Sequence, residues 1–307
     1  MPKVSVIIPV YRVEKYIERC CRSLFEQTLD DMEFLFIDDC TTDNSIIILK
    51  KVLEDYPNRY SQVRVLKMKE NSGQAAVRNY GIGEVKGEYT IHCDSDDWVD
   101  TNMYKQMYDK AIHDNADVVI CDFAVSDGVN YFYKKGCYST NKDVLINDLS
   151  SMRVGWSLWN KLLKTRLYDD IILPHNDMGE DMAIIMQIVI KANRFSYVPQ
   201  MLYYYYSNPN SITRIKDKKH LYKRFLQVYN NSVIVIDVFK RNGLMERYKW
   251  PLLVLKLNVK RQAYDILNSK TIKLVWKNIY KDLDSYIWFC KYISIKEKIK
   301  YFFYIIK

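Results

Sequence analysis

Three carboxylates stand within four residues at Asp94, Asp96 and Asp97, directly after the apolar run Tyr89–Cys93. Carboxylates so close together repel one another, so the cluster is costly unless a cation or solvent offsets its charge. Mg²⁺ and Mn²⁺ prefer oxygen ligands and often bridge a few carboxylates to the phosphates of a substrate. The spacing predicts a divalent-cation site. The alternative is a solvated turn that caps the following helix.

Two other acidic pairs adjoin predicted strands or helices. Asp38 and Asp39 follow the apolar run Glu33–Ile37, and Glu180 and Asp181 begin an apolar helical pattern. The carboxylate of Asp39 could accept a hydrogen bond from a base N–H or a ribose hydroxyl. A carboxylate at the start of a helix could act as a general base if it faces a cleft close to an acceptor hydroxyl. In both places simple helix capping stays an alternative.

Strand and helix patterns alternate over about the first 125 residues. The predicted strands are Val4–Pro9, Glu33–Ile37, Val63–Met68, Tyr89–Cys93 and Val118–Phe123, and the helices between them cover Tyr16–Phe25, Ser45–Leu53, Gln74–Glu84 and Asn102–Asn115. This order predicts an α/β fold with a Rossmann-like, mostly parallel sheet and helices on both faces. Ligands of open α/β sheets bind outside the carboxyl ends of the strands. The polar clusters at Pro9–Tyr11, Asp38–Asp39 and Asp94–Asp97 should therefore meet at one edge.

The pattern changes in the second half of the chain. Residues 126–206 are irregular and predict a short hairpin, a helix over Asp181–Ala192, and strands near Phe195–Val198 and Leu202–Tyr206. After Ile215 the pattern is helical, basic and aromatic. We therefore predict two domains, residues 1–215 and a helical C-terminal extension over residues 216–307.

The positive charge of the chain is concentrated near its C-terminus. Residues 218–307 hold 20 Lys/Arg and 6 Asp/Glu, a net charge of +14, whereas residues 1–217 have a net charge of −5. Such a segment suits an anionic partner. No nucleic-acid recognition motif is present, so an anionic membrane surface is favoured over nucleic acid as such a partner. Packing of these helices on the first domain or on a second subunit is the alternative.

The N-terminus lacks the cleavage pattern of a signal peptide, and no run of about 18 apolar residues occurs. We therefore expect a cytoplasmic protein, peripheral at the inner face of the membrane if the basic segment binds lipid.

An ordered set of short motifs resembles the family 2 glycosyltransferases of GT-A fold. The matching stretches lie between residues 3 and 215 and are Val4–Tyr11, Glu14–Ile17, Ser23-Leu24, Gln27-Thr28, Ile37–Asp39, Thr42–Ser45, Asn71–Gly73, Ala76–Gly81, Gly87–Tyr89, Asp94–Asp97, Trp159–Leu162 and Gly179–Asp181. Each motif is weak alone, but the order of the set is specific. Arg12 and Thr41 depart from the family pattern, where Asn and Ser are common.

The resemblance implies a nucleotide pocket on one side of the site. Pro9, Tyr11, Glu14 and Asp39 would line it, with Asp39 reading a uracil ring and Glu14 near the ribose. Arg78 would lie close to the nucleotide.

The resemblance also implies which residues would hold the metal and which would act as the catalytic base. Asp94 and Asp96 would form the Asp-X-Asp motif, with Asp96 the first choice for direct metal contact. Asp97 would face the sugar or support the loop. Asp181 would be the catalytic base, with Glu180 as the second candidate.

The implied activity is inverting transfer of a sugar, with a UDP-sugar as the expected donor and a hydroxyl of a glycan or lipid-linked molecule as the acceptor, in surface polysaccharide biosynthesis. Lys161 would contact the diphosphate or the acceptor, and the cofactor would be Mn²⁺ or Mg²⁺. Two alternatives are a nucleotidyltransferase and a non-catalytic scaffold that binds nucleotide sugars. Nucleotidyltransferases generally carry a Gly-rich, basic loop after the first strand, and Val10–Glu14 stands there instead.

Overall fold

The computed structural model describes residues 1–136, 138–208, 215 and 217–306. The strands are β1 Val4–Val10, β2 Met32–Asp38, β3 Val63–Lys67, β4 Tyr89–His92, β5 Trp98–Val99, β6 Val118–Ser126, β7 Tyr131–Lys134, β8 Lys161–Lys164 and β9 Phe195–Tyr206. The α-helices are α1 Ile17–Phe25, α2 Ser45–Glu54, α3 Gln74–Glu84, α4 Met103–His113, α5 Lys142–Ser150, α6 Glu180–Lys191, α7 Lys218–Arg241, α8 Lys249–Arg261, α9 Lys270–Asn278, α10 Asp282–Tyr286 and α11 Ile295–Ile306.

One sheet organises the described chain, in the order β3-β2-β1-β4-β8-β6-β9-β5, with β7 paired to β6. The strands β3, β2, β1 and β4 run parallel to one another, as the alternating pattern predicts. Beyond β4 the sheet is mixed, because β8 is antiparallel to both β4 and β6 and β7 is antiparallel to β6. A tight turn joins β6 to β7, and strands joined in this way must run antiparallel. The α/β prediction is confirmed, and in the described chain parallel pairing joins β3, β2, β1 and β4 and also joins β6 to β9.

The first strands are apolar because both of their faces are covered. β2 is buried along its whole length. In α1 the apolar residues Ile17, Cys20, Cys21 and Leu24 recur at helical spacing and are fully buried. This packing holds the carboxyl ends of the parallel strands in place, and the polar residues that follow them share one edge.

The two strands predicted near Phe195–Val198 and Leu202–Tyr206 are one strand, β9. It pairs in parallel with β6, and the register shifts around Asp122, where Cys121 faces Val198 and Asp122 faces Met201. The extra residues form a bulge, which the alternation of side chains along the sequence does not reveal.

The basic C-terminal helices pack on the rest of the molecule. Phe239 of α7, Leu255 of α8 and Trp276 of α9 belong to the same buried cluster as Ile185 of α6 and Ile146 of α5. The predicted boundary at 215/216 adjoins residues 209–214 and 216, which lie outside the described residues, so the division into two domains stays a prediction. No helix in the described part of the chain is long and apolar enough to cross a membrane.

Candidate active site

A cleft of about 1030 Å³ opens at the carboxyl ends of β1, β2 and β4. Its lining includes the predicted residues Pro9, Tyr11, Glu14, Asp39, Arg78, Asp94, Asp96, Glu180 and Asp181. The three polar strand ends therefore meet as expected, and the first turn of α6 joins them. Asp97 and Lys161 are not among the lining residues.

Asp39 connects the end of β2 to the loop that precedes α3. One carboxylate oxygen accepts a hydrogen bond from the backbone N–H of Ser72 at 2.7 Å, and the other accepts one from Gly73 at 3.0 Å. Gly73 has φ +85°, and an added Cβ would lie 2.6 Å from a carboxylate oxygen of Asp177. Glycine is required there because it tolerates both the left-handed backbone and the close approach. The loop is thereby held against the cleft wall.

Glu14 occupies the loop after β1. Its carboxylate accepts a hydrogen bond from the backbone N–H of Asn44 at 3.1 Å, and its own N–H donates to Asp43 at 3.0 Å. Asp43 also accepts a hydrogen bond from the backbone N–H of Ser45 at the start of α2, at 3.1 Å. The carboxylate of Asp43 therefore contacts the start of α2 and also fixes the position of Glu14.

Arg78 is a buried cation between two acidic groups. Its guanidinium donates to Asp94 at 2.7 Å and also to Glu180. Burial lowers the pKa of Arg78, but Asp94 and Glu180 outweigh this effect and raise its pKa above the ordinary value. The side chain thus ties the end of β4 to the start of α6. Its proximity to the nucleotide stays a prediction.

The three carboxylates after β4 differ in environment. Asp97 is fully buried and accepts hydrogen bonds from the Tyr203 hydroxyl and the Tyr206 N–H, both at 2.6 Å. These hydrogen bonds tie the loop after β4 to β9, and the two roles expected for Asp97 stay predictions. Asp94 and Asp96 face the cleft. Burial, together with the charge of Asp94, raises the pKa of Asp96 to about 6.

Asp94 and Asp96 fit a divalent cation. Among the described residues, the amide of Asn208 donates to the side chain of Asp96 at 3.2 Å and the charge of Arg19 also stabilises its carboxylate, but burial and the charge of Asp94 outweigh both. A cation would offset the repulsion between Asp94 and Asp96, which adds to the effect of burial in raising the pKa of Asp96. The described residues contain no group of three or more His, Cys, Asp or Glu side chains placed to hold a metal by themselves. A cation bound here would therefore need oxygen ligands from a substrate or water.

The two acidic residues at the start of α6 are not equivalent. Gly179, with φ +82°, turns the chain into the helix. Glu180 is buried and paired with Arg78, whereas Asp181 is half-buried at the cleft wall. Burial raises the pKa of Glu180 to about 8, and it also raises the pKa of Asp181, while Arg78 lowers both. Of the pair, Asp181 is the carboxylate available to a ligand.

Lys161 lies behind the cleft. Its buried ammonium donates to the carbonyl oxygens of Gly155 at 2.9 Å and Ser157 at 2.7 Å, and to the side chain of Asn160 at 2.9 Å. Burial lowers its pKa to about 7. These contacts hold the loop that brings Ser157, Leu158 and Trp159 to the cleft. Contact between Lys161 and a diphosphate stays a prediction, which this arrangement does not favour.

Sequence reasoning missed Asp177 and Asn208. The carboxylate of Asp177 accepts a hydrogen bond from the N–H of Ala75 at 3.1 Å and so caps α3. Asn208 reaches Asp96 from the segment that follows β9. Both residues stand in short runs of turn-forming residues beside predicted secondary structure. Such a run predicts a loop, but it does not predict which distant residue the loop contacts.

Replacing Arg78 by leucine should lower the free energy of unfolding by about 3–5 kcal/mol, because Asp94 and Glu180 would lose a buried partner. Urea denaturation measures the change. The matched control is Arg22→Leu, since Arg22 also pairs with two acids, Glu18 and Asp55, but at the exposed surface. Exposed pairs contribute little. Equal losses in the two variants would contradict the prediction.

Comparison with known proteins gives the class of this fold and site. The profile of Glycosyl transferase family 2 matches residues 5–240. The uncharacterized glycosyltransferase EpsJ of Bacillus subtilis is 30% identical over 239 residues, which cover 73% of this chain and 68% of EpsJ. This chain belongs to glycosyl transferase family 2, which confirms the resemblance seen in its motifs.

Solved structures confirm the GT-A fold. S. aureus TarS 1–349 in complex with UDP-GlcNAc superposes with a TM-score of 0.61 at 20% identity, covering 92% of this chain and 89% of that TarS 1–349 chain. The mannosyltransferase PcManGT of Pyrobaculum calidifontis, in complex with GDP-Man and Mn²⁺, gives a TM-score of 0.55 at 16% identity, covering 93% and 83% of the two chains. The protein is therefore a glycosyltransferase with a mixed α/β sheet and a helical C-terminal part.

Proposed function

We propose that this glycosyltransferase moves a sugar from a UDP-sugar to a hydroxyl of a glycan or lipid-linked acceptor, with inversion at the anomeric carbon. The observation that carries the proposal is the placement of Asp181, a cleft-facing carboxylate on α6, in the same cleft as Asp94 and Asp96 at the end of β4. The fold shared with TarS, whose structure holds UDP-GlcNAc, supports the donor class. The acceptor class and its place in surface polysaccharide biosynthesis rest on the family resemblance.

Asp94 and Asp96 would hold the divalent cation, Mn²⁺ or Mg²⁺. When bound, such a cation offsets the negative charge that builds on the departing diphosphate. The Mn²⁺ in the structure of PcManGT supports this assignment. The protein's own contribution is to keep both carboxylates at the cleft surface. Asp97, hydrogen-bonded to Tyr203 and Tyr206, holds their loop in place.

Asp181 would act as the base. Its carboxylate takes the proton of the acceptor hydroxyl, while the hydroxyl oxygen forms a bond to the anomeric carbon and the bond to the diphosphate oxygen breaks. UDP leaves with that bonding pair. The raised pKa of Asp181, caused first by burial, makes it a better proton acceptor than an ordinary aspartate.

A single displacement suits this arrangement. A double displacement needs a second carboxylate as nucleophile at the sugar. Glu180 is buried and held by Arg78, so the neighbour of Asp181 is not free for that role. One displacement by the acceptor oxygen inverts the anomeric configuration.

Asp39 and Glu14 would bind the nucleoside part of the donor. Both line the cleft near β1 and β2, with Pro9 and Tyr11 beside them. Asp39 would accept the N–H of a uracil ring while it keeps its hydrogen bonds to Ser72 and Gly73. Glu14 would approach the ribose.

A panel of nucleotide sugars tests the proposal. With Mn²⁺ or Mg²⁺ present, we expect release of UDP from one UDP-sugar and a higher melting temperature with that donor. Chelation of the cation should abolish both effects. Binding without turnover, even with a range of acceptors, would point to a non-catalytic scaffold. Release of pyrophosphate from UTP and a sugar phosphate would identify a nucleotidyltransferase and contradict the proposal.

A further inference from the structure

The last helix, α11, carries apolar residues on two opposite faces. The inner face contains Tyr301, which is fully buried; its hydroxyl accepts a hydrogen bond from Lys260 at 3.0 Å and donates one to Asp284. The ring centroid of Tyr301 lies 5.5 Å from the ring centroid of the buried Trp276. This face anchors α11 to the molecule.

The outer face of α11 is a continuous apolar stripe. We name the outer stripe by its residues Ile295, Ile299, Phe303 and Ile306, whose exposures are 63%, 59%, 56% and 84%. They are spaced by four, four and three residues, so they lie in one row along the helix. Single exposed apolar residues are ordinary, whereas a contiguous row marks a surface that interacts with something.

Exposed aromatic residues adjoin the outer stripe. Trp288 stacks on Phe302 of α11 with ring centroids 5.0 Å apart, and Phe289 and Tyr292 lie in the segment between α10 and α11. Phe289 is 74% exposed, Trp288 45% and Tyr292 43%, whereas Phe302 is half-buried. Aromatic side chains beside an apolar helix face suit the boundary between lipid headgroups and acyl chains.

The charges around the outer stripe are positive. Lys291, Lys296, Lys298 and Lys300 lie in the segment 288–306, and Glu297 is its one acidic residue. Glu297 is already paired with Arg261 at 2.7 Å. By helical spacing, Lys296 and Lys300 flank the stripe on one side and Lys298 flanks it on the other.

These observations favour one binding partner for the outer stripe. A second copy of the chain on the stripe would bring two sets of lysines together without a free carboxylate from this segment to pair with them. A neutral apolar partner would offer no negative charge to the lysines that flank the stripe. An anionic lipid surface accepts the stripe among its acyl chains and the lysines among its headgroups.

We propose that α11, with the aromatic residues that precede it, is a peripheral membrane-binding surface for anionic lipid. The sequence left open whether the C-terminal helices pack on the first domain or contact a membrane. In this proposal their inner faces pack on the transferase, and the outer face of α11 binds the membrane. This proposal does not rest on the identity of the donor or acceptor.

The test is co-sedimentation of the full chain with vesicles. Wild-type protein should pellet with phosphatidylglycerol-containing vesicles at low salt, and much less with phosphatidylcholine alone or at high salt. The variant Ile295→Ser/Ile299→Ser should bind at least about tenfold more weakly. Lys296→Gln/Lys300→Gln should lose about fivefold per lysine on anionic vesicles.

The control is Ile47→Ser/Ile112→Ser, which removes two exposed isoleucines of α2 and α4, far along the chain from α11. It should bind vesicles as wild type does. Release of UDP from the donor in solution should be unchanged in all three variants, so failure of membrane binding and failure of the proposed activity are separable. Wild-type protein that stays in the supernatant, or equal binding by the stripe variant, would overturn the proposal. A dimer in solution that the stripe variant dissociates would assign the stripe to a second copy.

Discussion

Asp181→Asn is expected to slow sugar transfer by about 10²–10⁴-fold, the usual contribution of a general base. The amide has nearly the shape of the carboxylate but cannot take the proton of the acceptor. Donor binding should stay close to that of wild type, because Asp181 lies at the α6 side of the cleft and the predicted nucleotide residues lie at the ends of β1 and β2. Transfer rates and calorimetric binding of UDP, measured on the same preparation, separate the two effects.

The pH dependence of transfer gives a second measurement of the same role. Burial raises the pKa of Asp181 in the folded protein. The base must be deprotonated, so kcat/KM should fall as the pH drops through that raised pKa, at a higher pH than for an ordinary aspartate. Asp109→Asn, an exposed site on α4, is the control and should keep the wild-type rate and profile. Near-normal turnover by Asp181→Asn would reassign the base, and Glu180→Gln would then be the next variant to measure.

Asp96→Asn should remove the cation dependence of UDP binding while the fold survives. The change keeps the size of the side chain but removes a charge that Asn208 and Arg19 compensate only in part. Because a cation held by Asp94 and Asp96 would supply several kcal/mol of charge neutralisation, we expect a loss in UDP affinity of at least about 100-fold with Mn²⁺ present. Thermal unfolding should show no loss of stability, since removing the charge also removes repulsion with Asp94.

Calorimetry of UDP binding with Mn²⁺ and with chelator is the measurement. The matched control is Asp100→Asn, a nearby aspartate after β5 whose carboxylate accepts the N–H of Asn102 at 2.8 Å and does not line the cleft. It should bind UDP as wild type does. Equal affinity in chelator and in Mn²⁺, or an unchanged affinity in Asp96→Asn, would show that the site holds a diphosphate without a cation.

Local sequence patterns predicted most of the first half of the fold. The bounds of α3 agree with the predicted Gln74–Glu84, and β2 differs from its predicted range by one residue at each end. These segments follow regular periods of apolar residues, which depend only on neighbours in the chain. Parallel strands have their carboxyl ends at one edge, so the meeting of three polar clusters also followed from the sequence.

The roles of the acidic residues depended on partners far along the chain. Asp94, Asp96 and Asp97 look alike in the sequence, but Tyr203 and Tyr206 of β9 bury Asp97, while Asp94 and Asp96 stay at the cleft. A pattern of apolar and polar residues contains no information on which hydroxyl will reach which carboxylate, because such contacts form only when distant segments pack.

For the same reason, the sequence could not distinguish Glu180 from Asp181 or show which groups Lys161 contacts. Arg78 pairs with Glu180, which lies 102 residues further along the chain. Three oxygens of a neighbouring loop surround the ammonium of Lys161. The sequence by itself determined the α/β fold, the family motifs, the positions of the candidate acids and the basic charge near the C-terminus. The tertiary structure alone decided which acids are buried and paired and which apolar face of α11 is covered, because burial is set by the packing of segments that are distant in sequence.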